Sequence, residues 1–237
     1  MKVSPARVSL ASLALTTFFY SLPARARCRV SPGPEGEIAT WLVLGPYPLA
    51  RALRPAPTLR AVFDGILTAT PSRLGVTEAS LQPLVSPARE ALRWRPAASP
   101  HEWLDVGAAV GGRGPRVAYA GITVDASAAG ERLLWLGSDD ALAVYLDGRE
   151  VFRRALPRAS QDDQDVVRVA LDRGHHALVV KLVARGDMDL FARVTDSRAA
   201  VDPTLRFELP GLDDAARVDL GARATVFEVD RRVVTEG

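Results

Sequence analysis

The chain is poor in the residues on which several common kinds of site depend. Cys28 is the single cysteine among 237 residues, which excludes an internal disulfide and a thiolate metal cluster. Lysine occurs only at Lys2 and Lys181, and no block of like charge is present. Most of the net charge of +2 lies in residues 1–26, which contain basic side chains and no acidic one. The rest is therefore close to neutral, and we expect no nucleic-acid partner.

Motifs for catalysis are also missing. The histidines, His101, His175 and His176, do not lie in H-E-x-x-H spacing, and there is no G-x-S-x-G nucleophile elbow. Gly111-Gly112-Arg113-Gly114 lacks the Gly-Lys-Ser/Thr ending of a phosphate-binding loop. His175 and His176 cannot chelate one ion together, because consecutive side chains of a strand point to opposite faces. The sequence therefore predicts a protein that is not an enzyme.

The N-terminus has the pattern of a secretory signal peptide. Lys2 and Arg7 precede the uncharged apolar stretch Val8–Leu22, and Ala24-Arg25-Ala26 supplies a small-x-small cleavage site. The apolar stretch is shorter than the ~20 residues that a membrane-spanning helix needs. The pattern predicts a cleaved signal peptide over residues 1–26 and export to the periplasm or the extracellular space.

The segment after the cleavage site is rich in proline and glycine, and it predicts a linker over residues 27–37. Cys28 lies in it and raises the alternative of a lipid-attached cysteine. Such a cysteine normally follows a small residue, whereas Arg27 precedes this one, so an unpaired thiol is favoured. No later segment is long and apolar enough to cross a membrane, and we expect no membrane span after signal cleavage.

Alternating apolar residues predict a series of β-strands, most clearly after Arg116. Turn signals separate the runs, and Asp147-Gly148 favours a type I′ hairpin because both of its positions need positive φ. The gaps have no helical periodicity and are too short for the helices of a βαβ fold. The pattern predicts an all-β, antiparallel, jelly-roll-like β-sandwich over residues 38–198.

Two flanking or internal regions are less regular. Residues 49–116 are rich in proline, and they predict loops, a short helix or two and one strand. Residues 199–237 contain short strand-like pieces. They are interpreted as either extra β-strands or the start of a truncated region.

Two acidic groups in predicted loops are candidate binding residues. Asp139 and Asp140 lie between two predicted strands, and Asp162, Asp163 and Asp165 lie in the loop before another. Loop carboxylates can ligate Ca²⁺, which takes about six to eight oxygen ligands. They can equally accept hydrogen bonds from backbone N–H groups in turns, and turn preferences favour this interpretation.

The tryptophans divide into two pairs. Trp41 and Trp135 lie inside apolar strand runs and are predicted to be core residues. Trp94 and Trp103 lie in irregular segments and are candidates for a platform on which a sugar stacks. A core or loop-anchoring role remains the commoner fate of tryptophan.

Five sequence blocks resemble those of galactose-binding-like jelly-roll modules in large exported bacterial proteins. The blocks, in chain order, are Trp41–Pro48, Val117–Ala120, Leu136–Asp140, Val144–Gly148 and Gly174–Lys181. The Ser-Asp-Asp…Asp-Gly stretch within them is similar to PA14 domains. The resemblance covers residues 38–196, and it implies a β-sandwich accessory module of the kind attached to glycoside hydrolases, peptidases or repeat proteins. In PA14-type lectins paired aspartates can hold a Ca²⁺ that contacts sugar, and the resemblance implies this metal-binding role for Asp139 and Asp140 only.

The favoured hypothesis is a non-catalytic module that binds carbohydrate or another component of the cell envelope, such as an envelope polysaccharide. Its ligand would lie near the loops that hold the candidate residues Trp103, Asp139, Asp140, Asp162, Asp163 and Asp165. A structural domain that docks a protein partner is the first alternative. A glycosidase or other hydrolase is the least favoured, because catalytic motifs are missing.

Overall fold

The computed structural model describes residues 27–49, 59–68 and 94–210, which form two antiparallel β-sheets and two helices. The predicted signal peptide lies outside the described residues, as do residues 211–237. The helices are α1 (Leu59–Thr68) and α2 (Val106–Val110). The strands are β1 (Arg27–Val30), β2 (Thr40–Pro48), β3 (Arg95–Ala98), β4 (Trp103–Asp105), β5 (Arg116–Ala126), β6 (Gly130–Ser138), β7 (Ala141–Leu146), β8 (Arg149–Arg154), β9 (Asp165–Leu171), β10 (Gly174–Ala184), β11 (Asp189–Asp196) and β12 (Leu205–Pro210).

The larger sheet is built around β5. Its strands run in the order β1-β12-β5-β10-β7-β8, and β2 joins it with β3 at its side. β10 pairs with β5 along its whole length, whereas the other edge of β5 is shared between β2 at its start and β12 at its end. The smaller sheet has the order β4-β11-β6-β9. The all-β antiparallel sandwich predicted from the sequence is confirmed.

The main core lies between the two sheets and follows the two-residue period of the strands. Leu178, Val180 and Leu182 of β10 are buried in the same cluster as Leu134 and Leu136 of β6. Trp41 is completely buried in this core, as expected, and its Nε1 donates a hydrogen bond of 2.6 Å to the carbonyl oxygen of Ile38.

Trp135 differs from the prediction that it is a core residue. Leu134 and Leu136 on either side of it point into the core, so Trp135 must point to the outer face of the smaller sheet. There it is half-buried, and the Arg193 guanidinium lies 4.6 Å from its ring centroid. Its Nε1 donates to the Thr195 hydroxyl at 2.9 Å.

A second apolar layer covers part of the outer face of the larger sheet. Phe63 and Leu67 of α1 pack in one cluster with Tyr119 and Val179. Lys181 is fully buried there, and its Nζ donates a hydrogen bond of 3.2 Å to the carbonyl oxygen of Leu67. α1 lies within the proline-rich region for which the sequence predicts a short helix. Neither described helix is long and apolar enough to cross a membrane.

The start of the segment predicted as a linker forms an edge strand. Arg27–Val30 is β1, in which Cys28 lies opposite Leu209 of β12. Cys28 and Val30 pack against the main core and Arg29 is exposed, but an alternation over four residues is too short to stand out beside the proline- and glycine-rich stretch that follows. β12 itself lies in the C-terminal region, where extra strands were one of the two interpretations.

The hairpin between β7 and β8 has the predicted two-residue turn. Asp147 has a φ of 50° and Gly148 a φ of 78°, so both turn positions have the positive φ that a type I′ turn requires. The turn also contacts β10, because Asp147 Oδ1 accepts a hydrogen bond of 2.8 Å from the backbone N–H of Ala177.

Candidate functional site

Three of the predicted loop regions meet at Gly137, near the end of β6. A Cβ atom at Gly137 would lie 2.9 Å from Cη2 of Trp103 and would clash with the carbonyl oxygen of Gln161. Trp103 reaches this point across Phe191 of β11, with the two ring centroids 5.5 Å apart. We call this region the loop cluster: Trp103, the turn at Asp139 and Asp140, residues 155–165 from the end of β8 to the first residue of β9, and Asp189 at the start of β11.

Two open clefts border the loop cluster. The larger, of about 540 Å³, has Trp103, Ser99, His101 and Asp105 among its lining residues. Trp103 is half-buried and lines this cleft. The other, of about 450 Å³, lies beside the turn and is lined by both of its aspartates and by arginines. The loop cluster therefore offers an aromatic surface with polar groups beside it, which is the usual composition of a small-molecule site.

Asp140 is buried and held by Arg185. The guanidinium approaches it side-on, with Nη2 2.8 Å from Oδ1 and Nε 3.0 Å from Oδ2. The backbone N–H of Arg185 donates to the same carboxylate at 2.9 Å. A bidentate pair with an added backbone donor is among the stronger charged hydrogen-bond arrangements. Both oxygens of Asp140 thus contact protein donors.

Asp139 binds backbone rather than a charged side chain. Oδ1 accepts from the N–H of Ser160 at 3.1 Å, and Oδ2 accepts from the N–H of Asp189 at 3.2 Å. One carboxylate therefore ties the loop after β8 to the start of β11. Asp139 thus accepts from backbone N–H groups, as the capping interpretation expects, but its donors belong to distant segments and not to its own turn.

The second acidic group is divided among different partners. Asp163 forms a two-point ion pair with Arg193, at 2.9 and 2.7 Å. Asp165 has a side chain only 1% exposed, and it contacts Arg154 at 2.6 Å and Arg158 at 2.7 Å. Asp162, in contrast, is exposed. The structure brings this loop alongside Asp139 and Asp140, but the carboxylates of Asp163 and Asp165 contact arginines.

Asp189 is a titratable residue of the cluster that the sequence did not single out. Burial, together with the neighbouring charges of Asp139 and Asp105, raises the pKa of its carboxyl group to about 6. Its carboxyl group also hydrogen-bonds that of Asp139. The sequence contains little to indicate this residue, because Asp187 and Asp189 flank a methionine in a stretch that is typical of an ordinary turn.

A different polar group lies on the outer face of the larger sheet. His175 Nε2 is 3.8 Å from Asp125 Oδ1 and 3.5 Å from Glu208 Oε2. The ligand atoms of these three residues all lie within 4.8 Å of one another, and this is the one such group of three metal-binding side chains in the described part of the chain. We call it the outer-face triad.

His176 points away from its neighbour, as the sequence predicts for adjacent residues of a strand. Its Nδ1 lies 2.7 Å from Asp147 Oδ2 and its Nε2 lies 2.9 Å from the carbonyl oxygen of Asp172. Burial alone would lower the pKa of His176, but these two oxygens reverse the effect and raise the pKa above its usual value. The two histidines therefore belong to separate groups.

Comparisons with known proteins give weak likenesses. A scan of protein families and a search of curated proteins found no match. Among solved structures, the chain is similar to the PA14 domain of the MpAFP antifreeze protein, with a TM-score of 0.32 and 11% identity. It is also similar to the PA14 sugar-binding domain from an RTX adhesin, with a TM-score of 0.33 and 13% identity. Each alignment covers 40% of this chain and 52% of the other, so the chain spans about half the length of those structures.

Glycosidases are found by the same comparison. A beta-glucosidase from Kluyveromyces marxianus aligns with a TM-score of 0.35 and 9% identity, over 60% of this chain and 17% of the enzyme. The GH31 alpha-xylosidase from Xanthomonas citri aligns with a TM-score of 0.29 and 17% identity, over 41% of this chain and 11% of the enzyme.

Proposed function

We propose that this protein is a non-catalytic carbohydrate-binding module of an exported protein, and that the loop cluster is its binding site. The observation that carries the proposal is the position of the half-buried Trp103 in the lining of an open cleft with polar groups. Sugars present apolar C–H faces together with hydroxyl groups, so an aromatic ring with adjacent hydrogen-bonding groups complements them. The N-terminal signal pattern supports export.

The polar groups beside Trp103 are held in place by their own contacts. Asp105 Oδ1 accepts a hydrogen bond of 2.6 Å from the N–H of Ala108, which caps α2. Ser99 Oγ accepts from the N–H of His101 at 3.1 Å. Groups that are ordered before binding lose less conformational entropy when a ligand arrives. The aspartates act mainly as scaffold in this proposal, because protein donors engage them.

The test begins with a glycan array probed with the mature chain, followed by calorimetric titration of the best ligand. Trp103→Ala should weaken binding by at least about 10-fold, because a stacking residue at the centre of a site contributes more than about 1.4 kcal/mol. Trp103→Phe keeps an aromatic face and should retain most of the affinity. Binding should not depend on calcium.

Trp135→Ala is the matched control. Trp135 is also half-buried on the outer face of the smaller sheet, but Arg193 stacks on its ring. This variant should bind the glycan with the affinity of the unchanged protein. Equal affinity of Trp103→Ala, or no glycan bound at all, would favour a structural docking domain instead. Release of reducing sugar during incubation would contradict the non-catalytic part of the proposal.

A further inference from the structure

The outer-face triad is assembled by strand register rather than by sequence proximity. His175 of β10 lies directly opposite Asp125 of β5, and Glu208 of β12 lies opposite Thr123, two residues from Asp125. Directly opposed and diagonal positions on one face of a sheet are close enough for side chains to meet. The three side chains therefore converge from three strands that are neighbours in the larger sheet, β12, β5 and β10.

The face is fixed by the pattern of burial. In β10 the residues at 178, 180 and 182 belong to the main core, so His175 points outward with Val179 and Lys181. In β5 and β12, Val124 and Phe207 are core residues, which places Asp125 and Glu208 on the outer face too. α1 packs against the opposite end of this face, near Lys181.

The distances suit a small divalent ion. Zn²⁺ binds histidine nitrogen and carboxylate oxygen at about 2.0–2.2 Å in a tetrahedral arrangement, so its ligand atoms stand about 3.3–3.5 Å apart. His175 Nε2 lies 3.5 Å from the Glu208 oxygen and 3.8 Å from the Asp125 oxygen. All three ligand atoms lie within 4.8 Å of one another, and a movement of the Asp125 side chain, which is 29% exposed, would tighten the geometry around an ion.

The charges and exposure of the site fit the same ion. Two exposed arginines border the site: Arg29 lies 3.8 Å from Glu208 with a side chain 76% exposed, and Arg206 lies opposite Asp125 and donates to the carbonyl oxygens of Pro203 and Leu205. An exposed arginine can move into water at little cost. The imidazole selects zinc over Ca²⁺ and Mg²⁺, which prefer oxygen ligands.

We propose that Asp125, His175 and Glu208 bind a Zn²⁺ ion that joins β5, β10 and β12 on the outer face of the larger sheet. The His175 side chain is 46% exposed, so the fourth coordination position faces solvent and takes a water molecule. This site is separate from the loop cluster, which surrounds Gly137 near the end of β6 in the smaller sheet.

The test uses chelator-treated full chain without a polyhistidine tag and titrates it with zinc chloride by calorimetry. The unchanged protein should bind one zinc ion, and zinc should raise its melting temperature by mass action. His175→Gln should bind zinc at least about 10-fold more weakly, since loss of even an outer-shell partner costs that much. Co²⁺ in place of zinc should give a visible absorption band that His175→Gln lacks.

His176→Gln is the matched control, because it removes the neighbouring imidazole, which points the other way, and it should leave zinc affinity unchanged. Asp125→Asn provides a second variant that keeps side-chain size, and it should also weaken zinc binding. The proposal is wrong if the unchanged protein shows no zinc binding at millimolar concentration. It is also wrong if His175→Gln binds as tightly, or if magnesium stabilises the protein as much as zinc does.

Discussion

The loop cluster and the outer-face triad both contain carboxylates, but the partners of these carboxylates differ. In the loop cluster Asp140, Asp163 and Asp165 each contact an arginine guanidinium, with closest distances of 2.6–2.8 Å. In the outer-face triad the carboxylates contact one histidine at 3.5 and 3.8 Å. Arginines of the protein neutralise the three carboxylates of the first arrangement. The ligand atoms of the second stand apart by distances that a small cation between them would span.

The comparison shows that adjacency of acids in a sequence is a poor guide to a metal site. The pair at 139 and 140 is conspicuous in the sequence, yet its oxygens are occupied by Arg185 and by backbone N–H groups. The triad has its members far apart along the chain and is brought together by β-sheet register. The partners of the adjacent pair come from segments 21 to 50 residues away, so the turn itself does not show that its carboxylates are engaged.

Asp165 gives the largest expected effect on the loop cluster. Asp165→Asn keeps the size of the side chain but removes the charge that Arg154 and Arg158 share. Arg158 is only 16% exposed, so its charge would be left partly buried without a partner. We expect a loss of about 3 kcal/mol in the free energy of unfolding, measured by urea denaturation.

Asp162→Asn is the control for that experiment. Asp162 lies in the same loop and is exposed, so its loss should change stability by less than about 0.5 kcal/mol. If both variants lose the same small amount, the loop cluster does not depend on its buried ion pairs.

Gly137 tests whether the loop cluster is one packed unit. Gly137→Ala places a methyl group against the carbonyl oxygen of Gln161 and the ring of Trp103, so the loop must shift. Overpacking of this kind should cost about 2 kcal/mol. The same variant should weaken glycan binding and leave zinc binding unchanged, because the triad lies on the other sheet. Gly186→Ala, where a Cβ meets no atom within 4 Å, should be nearly neutral in thermal unfolding.

The fold could be predicted where side chains alternate and where a turn has a strict backbone requirement. Asp147 and Gly148 specified their hairpin because few residues tolerate positive φ at both positions. β1 was missed because its alternation covers only four residues beside a proline- and glycine-rich stretch. Trp135 was assigned to the core because an apolar run, taken alone, does not say which alternate residues point inward.

The candidate site could be predicted only in part. The sequence singled out Trp103 and both acidic groups, and the structure brings them to one region around Gly137. The sequence could not indicate which residues the aspartates contact. Arg185 and Arg193 are two among many scattered arginines, and only the fold brings them to Asp140 and Asp163. The outer-face triad was out of reach for the same reason, because its members meet only through the pairing of three strands.

Asp140 tests the calcium interpretation directly. Asp140→Ala removes a two-point pair with Arg185, whose side chain is 46% exposed and can be hydrated after the loss. The cost should therefore be about 1.5 kcal/mol in thermal unfolding, less than for a fully buried pair. We expect the same cost with and without calcium. A calcium-dependent rise in melting temperature that disappears in this variant would instead assign the ion to the aspartate pair.

Substitution of Asp189 gives the smallest expected effect of these variants, and it should raise the free energy of unfolding instead of lowering it. Its pKa of about 6 in the folded protein lies above the usual value of 3.8, so folding favours the protonated form. That contribution to stability is fully present below about pH 4 and is lost as the pH rises through about 6. Asp189→Asn mimics the protonated form at every pH. It should match the unchanged protein at about pH 4 and exceed it at about pH 8 by about 1 kcal/mol, a value reduced for partial exposure to solvent.

Urea denaturation across this range measures the difference, and Asp162→Asn should show no such dependence. An equal gain at both pH values would mean that Asp189 is not held near Asp139 as an uncompensated acid. The loop cluster would then contain only carboxylates that arginines or backbone N–H groups engage, unlike the outer-face triad, whose carboxylates face a histidine.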